Sequence, residues 1–246
     1  MPLTKIFAAV LAAISISFSA LSVHAQSSRQ QWVSDTYSKL SLEEKIGQLF
    51  MVAAYSGGPD YNENKITELL QNRQIGGVIF MQGTPEAQAT LINKYQRVAN
   101  VPLLVGMDAE WGLGMRLTGV KNFPRQMMLG ATRDSALVYE MGVAVAKQCN
   151  RLGVHINFAP VVDVNNNPNN PIINFRSFSE DKTRVAQMGL AYMHALQENG
   201  VMACAKHFPG HGDTETDSHE DLPVIRKSLS ELEKLELYPF RKLMNA

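Results

Sequence analysis

Short apolar runs alternate along this chain with longer segments in which apolar side chains recur every three or four positions. The apolar runs cover residues 49–55, 76–81, 102–108, 155–164 and 201–208, each of a length suited to a buried strand. Between them, residues 63–74, 85–100, 134–153 and 181–200 carry helical periodicity. Two of these segments close on glycine, Gly153 and Gly200, as helix C-termini commonly do. Ser41 and Glu44 have capping-box spacing just ahead of the first strand, and a last helix is predicted from about Ser228 onward.

Repeated βα units predict an α/β protein with a parallel sheet. Charged and polar residues gather where the apolar runs end, at Asp108, Asp163 and the pair Lys206-His207. That placement favours a (β/α)8 TIM-type barrel, whose active site collects side chains from many strand ends, over a doubly wound sheet. No Gly-x-Gly-x-x-Gly follows the first strand, which weakens the dinucleotide-binding alternative. A closed barrel needs about eight strands, and five are legible. The sequence therefore reads as an incomplete barrel of about the first five βα units, with open edges at strands one and five. Such a chain alone is expected to aggregate or to melt without cooperativity.

Residues 1–25 change the expected location of the protein. Lys5 is followed by an apolar run from Ile6 to Leu21 and then by Val23-His24-Ala25, the layout of an export signal removed after Ala25. The run is short for a membrane span, so the domain is expected over 26–246, exported to the periplasm or outside the cell, with no stable membrane insertion. Signal removal takes one charged residue from 23 basic and 23 acidic ones, leaving a net charge of about −1. Nucleic acid is not the expected partner. Cys149 and Cys204 lie far apart, each in an apolar segment, and read as two buried thiols, with a disulfide as the other possibility.

The densest chemistry lies in residues 206–219, KHFPGHGDTETDSH. His207 and His211 have the four-residue spacing of zinc ligands on a helix, with Asp217 and His219 as further donors. Pro209, Gly210 and Gly212 disfavour a helix there. Asp217 and His219 also form an Asp-x-His pair, in which a carboxylate orients an imidazole and raises its basicity for proton transfer. His24, His155 and His194 show no such grouping.

That stretch resembles the signature of β-N-acetylglucosaminidases of glycoside hydrolase family 3. Further matches run in order: SLEEKIGQLFMV (41–52), GGVIF (76–80), DAEWGLGMRL (108–117), the segment 158–181, and ELYPFRKLM (236–244). The resemblance implies retaining hydrolysis of terminal β-linked N-acetylglucosamine from muropeptides or chitin-type oligosaccharides, with a carbohydrate partner, no cofactor and no metal. By the same resemblance Asp108 accepts hydrogen bonds from sugar hydroxyls, and Arg116, Arg176, Lys206 and His207 surround the same sugar. Asp217 orients His219, the catalytic acid/base. The nucleophilic aspartate of the family is expected near the end of strand seven, beyond Ala246, so these 246 residues alone are expected to be inactive.

Plainer readings stand beside these. Asp108 or Asp163 can cap a loop, Arg176 can pair with Glu180 or Asp181, and His211 can be structural. Trp111 departs from the family pattern, which has a second glycine there; it can stack on a sugar ring or merely reshape the loop. A metal-dependent hydrolase and an inactive sugar-binding fragment remain as alternative functions.

Overall fold

The computed structural model describes residues 28–214 and 224–246. A helix over 28–39 (α1), which the periodicity did not announce, leads to α2 (Leu42–Gly47). The predicted capping box is formed there, Ser41 and Glu44 satisfying each other's backbone N–H. Then β1 (Met51–Ala54), α3 (Glu63–Gln71), β2 (Gly77–Phe80), α4 (Pro85–Val98) and β3 (Leu104–Met107) alternate. They are followed by α5 (Gln126–Thr132), α6 (Ser135–Leu152), β4 (Ile156–Asn157), α7 (Lys182–Glu198) and β5 (Met202–Ala203). Helix starts follow their sequence signals: Thr84 with Pro85 opens α4, and Asp134 and Asp181 accept backbone N–H bonds at α6 and α7. Gly153 ends α6 in left-handed backbone, as its position predicted.

All five strands pair in parallel in the order β1-β2-β3-β4-β5. The order never reverses, so there is no switch point of the doubly wound kind, and the sheet is a sector of barrel wall. Its two faces differ. Ala54, Phe80, Met107 and Asn157 stand in register on the helix-covered face with no solvent exposure. The neighbouring row, Ala53, Ile79, Gly106, Ile156 and Met202, faces the other way, and Met202 is 48% exposed. On that inner face the Phe158 ring crosses Gly106 so closely that a Cβ there would lie 2.7 Å from it. The helical layer is built by α6 and α7 side by side, with α9 (Leu237–Met244) on α7.

The structure shortens the predicted strands. Regular pairing in the fourth and fifth covers two residues each, although extended chain continues past both. Cys204 N donates to Ala159 O, Lys206 N to Pro160 O and Val162 N to Lys206 O. The run after Ser228 is two helices, α8 (Leu229–Lys234) and α9, because Leu235 leaves helical backbone and turns the buried Glu236 inward. Cys149 and Cys204 are both free; burial pushes the Cys149 thiol up to about 12. Among the described residues no helix is long and apolar enough to cross a membrane.

Asn157 is the one polar side chain in the row of buried residues on the helix-covered face, and its amide is fully used. It accepts from Ala109 N (3.0 Å) and donates to Ala109 O (3.1 Å). Replacement by leucine keeps the size, leaves the buried Ala109 N–H without a partner, and leaves Ala109 O with the Tyr192 hydroxyl alone. Asn157→Leu is therefore expected to destabilise by about 1–3 kcal/mol, read as a lower urea midpoint with an unchanged slope. A neutral result would show that Ala109 finds other partners.

Candidate active site

The end of β3 is pinned before any side chain reaches the cavity. Besides Asn157, the Tyr192 hydroxyl donates to Ala109 O (3.1 Å) or Glu110 O (3.2 Å), and Gln126 Nε2 donates to Glu110 O (2.8 Å). This fixed backbone sends Asp108 and Glu110 to the C-terminal end of the sheet. Two cations meet each carboxylate. Asp108 pairs with Arg116 and with Lys206 (Nζ–Oδ1 2.8 Å). Glu110, with no exposed side-chain surface, pairs with the same Lys206 (2.9 Å) and with Arg176. Arg176 grips it through two nitrogens, Nε–Oε2 at 3.0 Å and Nη2–Oε1 at 2.7 Å.

The network continues into the loop after β5. Arg176 Nη2 lies 3.2 Å from His207 Nε2. A guanidinium can only donate, so Nε2 accepts, and the ring proton sits on Nδ1, which donates to the buried Asp163 (2.6 Å). Asp163 also accepts from the backbone N–H groups of His207 (3.2 Å) and His211 (2.7 Å). The loop is laid tightly on the chain that follows β4: a Cβ at Gly212 would sit 1.8 Å from Val164 O, so only glycine fits.

Burial pushes the carboxyls of Asp108 and Glu110 up, but their cations outweigh it. Lys206 and Arg116 hold Asp108 below the ordinary carboxylate range, and Arg176 with Lys206 does the same for Glu110. Burial lowers the Arg176 guanidinium, and Glu110, Asp163 and Asp108 together raise it above its usual value.

These groups border a cavity of about 520 Å³ that is also lined by Trp111, Phe158, Phe175 and His211, a size suited to one sugar and part of its substituent. Asp108, Arg116, Arg176, Lys206 and His207, drawn from three separate stretches of sequence, thus meet in one place. Asp217 and His219 lie outside the described residues. The stretches flanking them are held: Lys227 pairs with both Asp213 and Glu236, and Thr214 bonds the His211 ring.

The structure removes one plainer alternative and adds one residue. Arg176 turns inward to Glu110 rather than to Glu180 or Asp181. Sequence reasoning passed over Glu110 itself; its signal was a second acid two residues after Asp108, on the same side of an extended chain. Asp163 proves to organise the loop. His211 packs its ring edge-on to His207, with Nε2 buried and unpartnered among the described residues. The zinc pairing of His207 with His211 loses its warrant, because both nitrogens of His207 are engaged, one by a guanidinium.

Comparison with known proteins agrees with the fold. The model of the glycosyl hydrolase family 3 N-terminal domain matches residues 41–246. Beta-hexosaminidase A of Pseudoalteromonas piscicida is 36% identical over 195 residues, 74% of this chain and 33% of that protein. A family 3 β-N-acetylglucosaminidase from Paenibacillus sp. superposes with a TM-score of 0.75 at 39% identity, covering 84% of this chain and 40% of that one. The β-glucoside phosphorylase BglX bound to 2FGlc gives 0.81 at 26% identity, covering 87% and 38%. The chain thus spans about a third of the length of the first curated relative.

The buried charge of Glu110 yields a prediction. Glu110→Gln leaves Arg176 and Lys206 short of one carboxylate and is expected to cost about 3–5 kcal/mol in urea unfolding at neutral pH. With a folded value below the ordinary one, the carboxylate's contribution is complete above the ordinary range, near pH 4.3, and is lost as pH falls through the lowered value. The gap between wild type and variant should therefore shrink as pH drops below about 4. A gap that is constant with pH would mean that the charge of Glu110 contributes nothing.

Proposed function

This chain belongs to glycosyl hydrolase family 3, and on that premise we propose that the protein releases terminal β-linked N-acetylglucosamine from muropeptides or chitin-type oligosaccharides, with retention of configuration. The observation that carries this reading is the Arg116–Asp108–Lys206–Glu110–Arg176 network on the wall of a cavity sized for a sugar. A pyranose offers hydroxyls that both donate and accept. Asp108 and Lys206, each about 15% exposed, present an acceptor beside a donor at fixed spacing, and His207 and Arg116 extend the same surface.

In this scheme His219, oriented by Asp217, donates a proton to the glycosidic oxygen as a carboxylate attacks the anomeric carbon. Water then displaces that carboxylate and returns a proton to His219. Asp108, Glu110 and Asp163 are already committed to cations or to the loop, so we assign the nucleophile to a carboxylate outside the described residues. The relatives named as β-hexosaminidases support the N-acetylglucosaminide over a plain glucoside. Export, with residues 1–25 removed and a domain over 26–246, belongs to the same proposal.

His219→Ala in the full-length protein is expected to cut kcat on alkyl or sugar aglycones about a hundredfold or more, and on nitrophenyl glycosides far less, since a nitrophenolate leaves without a proton. Steady-state rates on the two substrate types check this. Equal losses on both would remove His219 from the acid role.

A further inference from the structure

One cation at the cavity is unaccounted for by the network. Arg116 and Lys206 meet Asp108, and Arg176 and Lys206 meet Glu110. Arg125, on the same wall, has no carboxylate within ion-pair distance among the described residues. Its guanidinium carbon instead lies over two aromatic rings, 4.7 Å from the centre of Trp111 and 4.1 Å from that of Phe175. Contact with a ring face uses the positive charge of a guanidinium without using up its N–H donors, whose fork matches a carboxylate. The rings also restrict the rotamers of a long side chain, so less freedom is lost when a ligand is bound.

The position of this clamp decides what it meets. Glu110, at the floor, is fully buried, whereas Phe175 is 41% exposed and Arg125 is exposed at the rim. If the floor takes the terminal sugar, whatever is attached to that sugar passes the rim. We propose that Arg125, clamped by Trp111 and Phe175, is a specificity-determining residue that binds a carboxylate carried by the aglycone. This rests on the cavity being the site for a terminal N-acetylglucosaminide.

The test compares kcat/KM of the full-length protein on 4-carboxyphenyl and 4-carbamoylphenyl β-N-acetylglucosaminides, which are alike in shape and differ in charge. The ratio of the two is followed in wild type, Arg125→Gln and Arg125→Lys. Comparing ratios between proteins cancels leaving-group chemistry and any general loss of activity, which a purely structural role would produce. At low salt the wild-type ratio is expected to exceed that of Arg125→Gln about fivefold, with Arg125→Lys between them because it keeps the charge and loses the planar fork. Equal ratios in wild type and Arg125→Gln overturn the assignment while leaving the proposed activity intact. No hydrolysis of either glycoside by wild type overturns the activity, and this inference with it. Should Arg125→Gln not fold, the wild-type ratio from about 0.02 to about 0.5 M salt decides: a falling ratio supports the assignment and a constant one sinks it.

Discussion

A carboxylate with no exposed surface must be met by cations, and Glu110 imposes that requirement on two other parts of the chain at once. Leaving one such charge unpaired in an interior costs several kcal/mol, so the fold has to deliver Lys206 from the end of β5 and Arg176 from the loop after β4. Once there, each has donors left over. Lys206 spends one on Asp108, and Arg176 turns one to His207, whose ring proton goes to Asp163. Asp163 gathers the backbone N–H groups that start the loop beyond. One buried charge thereby fixes the geometry of a whole cavity floor.

The same arrangement bears on binding. A site of separately exposed charges would rearrange when a ligand arrived, and part of the binding energy would go into ordering it. Here the side chains hold one another before any ligand is present, and the β3 backbone beneath them is held by Asn157, Tyr192 and Gln126. A sugar hydroxyl meets donors and acceptors already at their final spacing, which is what selective recognition of a polar ligand needs. Lys206 is shared by two carboxylates, so its charge is set against both, and removing either one changes what the other can bind.

The sheet was legible because buried strands are apolar runs and these helices carry cap residues; Ser41, Thr84, Asp134, Asp181 and Gly153 all act where their chemistry places them. The site was legible as far as charged residues at strand ends go. Partner choice was not: Arg176 lies closer in sequence to Glu180 and Asp181 than to Glu110, and only the fold reverses that order. Glu110 was missed because an acid beside a turn normally reads as solvated, and nothing local says that the turn is buried. The break between α8 and α9 is similarly non-local: Leu235 leaves helical backbone, and Glu236 just after it pairs with Lys227, nine residues away and outside the helix. Helix α1 has Trp32, Val33 and Tyr37 exposed and lacks the one-sided burial that would have announced it.

Floor and rim of the cavity therefore obey different rules. At the floor every charge has its counter-charge, so a substitution there disturbs stability and binding together and cannot tune one without the other. At the rim the Arg125 guanidinium rests on two rings and on no carboxylate among the described residues, so its removal unbalances nothing beneath it. A scaffold built this way can keep one sugar chemistry while changing what it accepts attached to that sugar. The changes available to it lie where Trp111, Phe175 and Arg125 meet solvent, and not where Asp108 and Glu110 meet Lys206.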